Sequence, residues 1–383
     1  MCVGTVPAGT VCAHRKKRPT RYAIAALAAI GVLTGCATPA DAADPADLPA
    51  VVTPVATAAA QGADSDLYGQ AAMEHVRQLN DNFADRLPFT APEQAAAQWI
   101  ADTLVQAGFA PDNVTLQEFN RHDVDTRRLA VFEERGFYDE ADQIDISQNV
   151  VARLDGSGDG ITIVATGYDS VGTTGVTYTG SGVGLLLETA ANLASTTAAS
   201  TDTIYFVFFG AEEIGGVGSQ HFLANLPAAQ RDNLRLMVNV DSLADADSLF
   251  FTANEHVGTT DEDVLGVNRS NALTDAIHTL ATRLDVGLAP FKEEDFEAIG
   301  YQSCGCCVLA VPDSFIGITV VNLFAADLIP AGTDGATVDF TFDDDGADAP
   351  LGGAVDAAAQ TQRTARALGA YQRFVTPLLL GHI

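Results

Sequence analysis

Apolar residues recur at roughly helical spacing at Leu67, Ala71, Met73, Val76 and Leu79, and again at Ala96, Ile100, Leu104 and Ala107. The spacing predicts two amphipathic helices, over 66–83 and 92–107. Thr90 suits the N-cap of the second and Gly108 its stop. Beyond them the pattern changes to short β-rich runs alternating with helical stretches. Strands are expected at 149–154, 161–166, 203–209 and 234–240, with helices at 182–194 and 218–225. Further strands at 249–252 and 316–323 flank a helix at 272–284, and a helix at 354–374 ends the chain. The run Ile204-Tyr205-Phe206-Val207-Phe208-Phe209 is apolar without alternation, which marks a strand buried on both faces. This order predicts an α/β fold, a three-layer αβα sandwich around a central mixed, mostly parallel sheet. No internal repeat is present.

The first 35 residues depart from this pattern. The basic cluster Arg15, Lys16, Lys17, Arg18 and Arg21 precedes an apolar run from Tyr22 to Leu33, too short to span a bilayer, and then Thr34-Gly35-Cys36. Such a segment reads as an export signal. Leu33-Thr34-Gly35-Cys36 resembles the lipobox of bacterial lipoproteins, which implies cleavage before Cys36 and lipidation of its thiol; an ordinary signal peptide with an incidental Cys is the alternative. The expected organisation is a signal at 1–35, a flexible Ala/Pro/Thr/Asp-rich tether at 36–64 and a single α/β domain at 65–383. The expected location is the bacterial cell envelope, with the membrane reached through the lipid anchor.

Charge narrows the partners. Lys and Arg total 20 against 50 Asp and Glu, a formal charge of −30. A field of that sign repels nucleic acid, so no nucleic-acid partner is expected. Cys304, Cys306 and Cys307 remain after the signal and anchor cysteines. In an oxidising envelope they suggest one disulfide and a spare thiol, or simply packed thiols, rather than a metal cluster without a fourth ligand. The run Asp343-Asp344-Asp345 lacks calcium-loop spacing and reads as a solvated loop.

Acids at strand ends carry the chemical signal. Gly210-Ala211-Glu212-Glu213 follows the most apolar strand and precedes Gly215, Gly216, Gly218 and Ser219; Asp241 ends the next strand in Asn239-Val240-Asp241; Asp169 follows 161–166. Open α/β sheets bind ligands beyond the carboxyl ends of their strands. Of two adjacent carboxylates there, one can accept a proton while its neighbour holds a metal.

These segments, with Arg86-Leu87-Pro88, Gln148-Asn149-Val150-Val151-Ala152-Arg153-Leu154, Tyr168-Asp169-Ser170 and Gly180-Ser181-Gly182, resemble in order the zinc-dependent exopeptidases of the bacterial leucyl-aminopeptidase and glutamate-carboxypeptidase type, peptidase family M28. The resemblance runs from about Asp66 to about Gln302. It implies a peptide-bond hydrolase with two zinc ions sharing a bridging aspartate and a water. Carried over by motif, Glu212 takes the place of the general base, Glu213 and Asp241 of zinc ligands, and Asp169 of the acid that orients an early histidine. Three other positions depart from the family. Gly167 stands where the early histidine is expected, Tyr178 where the bridging aspartate is expected, and Glu293 where a late histidine is expected. A remaining set of Glu213, Asp241 and Glu293 is all oxygen, which suits calcium or magnesium better than zinc, or no metal. Of the histidines, His75, His122, His221 and His278 fall outside the motifs, and His256 follows a strand end.

Two readings therefore stand: an exopeptidase-like hydrolase with an altered metal site, or a non-catalytic relative that holds peptides or a protein partner in the cleft. A divalent-ion store is a third, weaker one.

Overall fold

A computed structural model of the protein describes residues 68–124, 129, 143–171, 175, 179–196, 200–244, 248–254, 272–291, 319–326 and 357–381. The expected signal, tether and Cys36 lie outside them, as do Tyr178, His256, Glu293, the three late cysteines and Asp343 to Asp345.

Helix α1 (Gln70–Asn82) and helix α2 (Ala91–Gln106) open the described fold. Strand β1 (Val114–Asn120) follows, then β2 (Ile146–Leu154) and β3 (Ile161–Gly167). Helix α3 (Thr179–Ser195) leads to β4 (Thr203–Phe209), α4 (Val217–Asn225), the short α5 (Ala228–Arg231) and β5 (Leu234–Val240). The remainder comprises β6 (Ser248–Asn254), α6 (Ala272–Arg283), β7 (Leu288–Pro290), β8 (Val320–Ala326) and α7 (Ala357–Leu379). The sheet order is β1-β2-β4-β3-β5-β8-β6-β7. Its centre, β4-β3-β5-β8, is parallel; β2 joins β4, and β6 joins β8, in antiparallel fashion.

Period-two alternation along β4 builds the three layers. Ile204, Phe206 and Phe208 face a core made with α1, α2, α3, α6 and α7. Tyr205, Val207 and Phe209 face the opposite side, where Phe222 and Leu223 of α4 cover them. The apolar run in the sequence is thus explained by burial on both faces. On α1 the buried face uses Ala72, while Ala71 points outward. Thr90 does occupy the N-cap of α2, but its hydroxyl donates to the Leu87 carbonyl instead of capping the helix. Among the described residues no helix is long and apolar enough to cross a membrane.

Close approaches tie the layers to the carboxyl edge of the sheet. A Cβ added to Gly218 at the start of α4 would stand 2.2 Å from the Gly210 carbonyl oxygen and 2.4 Å from Asn149 Oδ1. The nearer obstacle is backbone, which cannot rotate away. Gly218→Ala is therefore expected to cost about 2–3 kcal/mol through forced separation of α4 from the end of β4. Urea unfolding measures it, and a loss below about 0.5 kcal/mol would mean that the contact yields freely.

Candidate functional site

The three acidic segments converge because β4, β3 and β5 are parallel neighbours. Asp169 lies two residues beyond the end of β3, Glu212 and Glu213 three and four beyond β4, and Asp241 one beyond β5. All four are buried, Asp241 the least at 9% exposure. The start of α3 lies against the same edge: Ser181 Oγ accepts the Leu243 amide, and Gly182 packs on Thr166 too closely to admit a side chain.

Asp169 organises the turn after β4. Its Oδ1 accepts the Glu212 amide at 2.9 Å and its Oδ2 the Glu213 amide at 3.0 Å. The preceding amide, that of Ala211, donates to Glu93 Oε1 at 2.9 Å. Ala211 has φ +49°, the left-handed region. Downstream, the Glu212 carbonyl accepts the amides of Gly215 and Gly216, both at positive φ where glycine is comfortable.

Arg86, with no exposed surface, supports the neighbouring turn. Its Nε donates to the Tyr168 carbonyl and its Nη1 to the Phe83 carbonyl, each at 2.7 Å, and Nη2 reaches Thr179 Oγ1 at 3.5 Å. The Thr179 hydroxyl donates to the Asp169 carbonyl. Arg86 also sits close enough to Asp169 to favour its ionised form.

Burial dominates the electrostatics. It raises Asp169 to about 6, against the opposing pull of the Glu213 and Glu212 amides and of Arg86. Glu212 is pushed well above the carboxylate range by burial first and then by Glu213, Asp241 and Asp169. Burial likewise raises Glu213 to about 8, with Asp169 and Asp241 adding to the rise. Glu212 Oε1 is buried without a hydrogen-bond partner among the described residues.

Gly167 fills the last position of β3, beside this carboxylate. A Cβ there would stand 3.1 Å from both Cβ and Cγ of Glu212 and 3.4 Å from Thr179 Cγ2. The space a side chain at 167 would enter is already bordered by Glu212 itself. Among the described residues, no set of three or more His, Cys, Asp or Glu side chains is grouped to hold a metal ion. The described histidines serve elsewhere: His75 packs edge-on to Trp99 and His221 against Phe119, His122 lies near Asp145, and His278 is exposed on α6. The donors that the described residues bring to this edge are carboxylates, those of Asp169, Glu212, Glu213 and Asp241.

Of the residues expected from sequence, Asp169, Glu212, Glu213 and Asp241 come together, whereas Glu293 lies outside the described residues. Glu93 and the burial of Arg86 were not anticipated. Thr90-Ala91-Pro92-Glu93 has the spacing of a helix capping box, a signal that conceals the outward reach of Glu93.

Residues 149–299 match the model of Peptidase family M28. Over that segment the chain is similar to peptidase family M28. The chain is 33% identical over 108 residues to "Probable lipoprotein aminopeptidase LpqL" of Mycobacterium tuberculosis, covering 28% of this chain and 21% of that protein. It is 31% identical over 81 residues to "Leupeptin-inactivating enzyme 1" of Streptomyces exfoliatus, covering 21% and 18%. The matched stretch spans about a fifth of these relatives' lengths. Among solved structures, BSAP, a zinc aminopeptidase from Bacillus subtilis, superposes with a TM-score of 0.55 at 16% identity, over 81% of this chain and 95% of that one. A glutaminyl cyclase of Porphyromonas gingivalis gives 0.53 at 18% identity, over 83% and 100%. At these identities the likeness establishes the fold alone, a mixed, mostly parallel α/β sheet between helices, and zinc is the metal named for the Bacillus subtilis aminopeptidase.

Proposed function

We propose that this M28 protein is an envelope lipoprotein whose cleft at the carboxyl edge of the sheet holds peptide or protein ligands, and that it does not run the family's two-zinc hydrolysis. The observation that carries this reading is the packing of Glu212 against Gly167: the strand end offers no imidazole and its neighbouring space is bordered by the would-be general base. Tyr178 in place of the expected bridging aspartate and Glu293 in place of the late histidine point the same way. Anchoring at Cys36 is supported by the Leu33-Thr34-Gly35-Cys36 segment and by the name of the Mycobacterium tuberculosis relative.

A second reading, a hydrolase with an altered metal site, is favoured by one observation. Glu212 Oε1 lacks a partner among the described residues while Asp169 holds the Glu212–Glu213 turn in order, an arrangement suited to a group that meets a ligand. Glu212 would then serve as proton acceptor, with Glu213, Asp241 and Glu293 as the oxygen donors.

Metal analysis and peptide assays on residues 37–383, prepared without chelator, separate the two. Binding without hydrolysis predicts no metal above that of a Glu213→Ala, Asp241→Ala variant, no cleavage of peptides with free amino termini, and retention of peptides from a mixed pool that Glu212→Ala weakens. Near-stoichiometric metal, lost in the double variant and accompanied by cleavage, would overturn it in favour of the hydrolase.

A further inference from the structure

Three non-glycine residues near the cleft have left-handed backbone: Ser242 at φ +47°, beside Asp241, and the pair Phe89 at φ +58° and Ala211 at φ +49°. L-residues with a Cβ enter this region only when their surroundings hold them there. Both amides of the pair donate to the same carboxylate. Phe89 N reaches Glu93 Oε2 at 2.6 Å, and Ala211 N reaches Glu93 Oε1 at 2.9 Å; Ser147 Oγ donates to Oε1 as well, at 2.8 Å. Glu93 itself is fully buried in the first turn of α2.

A residue that only capped its own helix would bond within that turn. Glu93 instead spans three elements: the loop between α1 and α2, strand β2 and the turn after β4. Together with Asp169 it accepts three successive amides, those of Ala211, Glu212 and Glu213. The two acids therefore fix the backbone from which the Glu212 side chain departs. Ala211 and Phe89 also share a buried apolar cluster with Phe119, Val171 and Ile214, which seats both strained residues.

We infer that Glu93 is a positioning residue of the cleft: by holding Ala211 in the left-handed region it sets the direction of the Glu212 carboxylate. The inference rests on the reading above only in taking the Glu212 cleft as the functional site.

Glu93→Gln keeps the volume but turns an NH2 group toward one of the two amides. Hydrogen–deuterium exchange should then accelerate roughly tenfold or more in the 210–217 segment, beyond any change in the rest of the sheet. Ser147→Ala, which removes a bond to the same carboxylate without touching either amide, should leave that segment within about threefold of the parent. Adding Ala211→Gly supplies a residue at ease with positive φ and should largely abolish the effect of Glu93→Gln. Acceleration spread evenly over the sheet, or unchanged by Ala211→Gly, would overturn the inference. If Glu93→Gln alone does not fold, recovery of folded protein by Ala211→Gly supports it and no recovery refutes it. Exchange requires neither peptide nor metal, so failure of peptide retention in the parent leaves this test intact. Where the parent does retain peptides, Glu93→Gln should lower retention as far as Glu212→Ala does, and Ala211→Gly should restore it.

Discussion

Asp169→Ala should lower folding stability by about 3–5 kcal/mol. The carboxylate accepts the amides of Glu212 and Glu213, and leaving a buried donor without a partner costs about 1–3 kcal/mol each. The variant also removes the charge opposite Arg86, whose guanidinium has no exposed surface. Two effects limit the loss. Arg86 keeps its bonds to the Tyr168 and Phe83 carbonyls, and removal of Asp169 relieves repulsion on Glu93, Glu212 and Glu213. Asp169→Asn retains one carbonyl acceptor and should fall about halfway. Urea unfolding of parent, Asn and Ala forms at pH 7 measures the series. A loss below about 1 kcal/mol for the alanine form would show that water or a backbone shift replaces the clamp.

The same residue illustrates what could be read before the fold was known. Asp169, Glu212, Glu213 and Asp241 were legible because each follows a run whose apolar continuity marks a central strand, and parallel neighbours bring such ends together. The elements of the sandwich followed from the same runs. Strand β1 was not expected: Val114 and Leu116 alternate with polar neighbours, but Phe119, its one buried residue, falls out of that phase, so the period is too short to read. Strand β7 spans three residues, Leu288–Pro290, too few for a period. Glu93 was hidden for a different reason. Its spacing from Thr90 matches a local helix signal, while two of its three partners, Ser147 and Ala211, lie 54 and 118 residues away. Long-range use of a short-range motif leaves no trace in spacing. Nor does a left-handed alanine, since nothing in the letter at 211 records the carboxylate that holds it.

Buried acids make the cleft's protonation part of its stability. In an unfolded chain Asp and Glu release their protons near 3.8 and 4.5, whereas in the fold Asp169 holds its proton to about 6 and Glu213 to about 8, with Glu212 displaced in the same direction, in each case chiefly through burial. Between about pH 4 and pH 8 the native state therefore binds more protons than the unfolded state, and stability falls as pH rises. Below pH 4 both states are protonated at these sites and the advantage is complete; above pH 8 it is lost. Asp169 alone accounts for about 3 kcal/mol at 1.4 kcal/mol per unit. The acids share their mutual repulsion, so their contributions do not add, and a total on the order of 5 kcal/mol is expected for the metal-free protein. Denaturant unfolding in the presence of chelator at pH 5 and pH 8 measures it. A Glu212→Gln, Glu213→Gln variant isolates the cleft's contribution and should show a much flatter dependence. Stability that rises from pH 5 to pH 8 would mean that the acids are ionised and compensated in the fold. Zinc, calcium or magnesium added at pH 8 then discriminates between the two functional readings: recovery of the lost stability favours an altered metal site, whereas no recovery favours a cleft that keeps its protons and binds ligands through them.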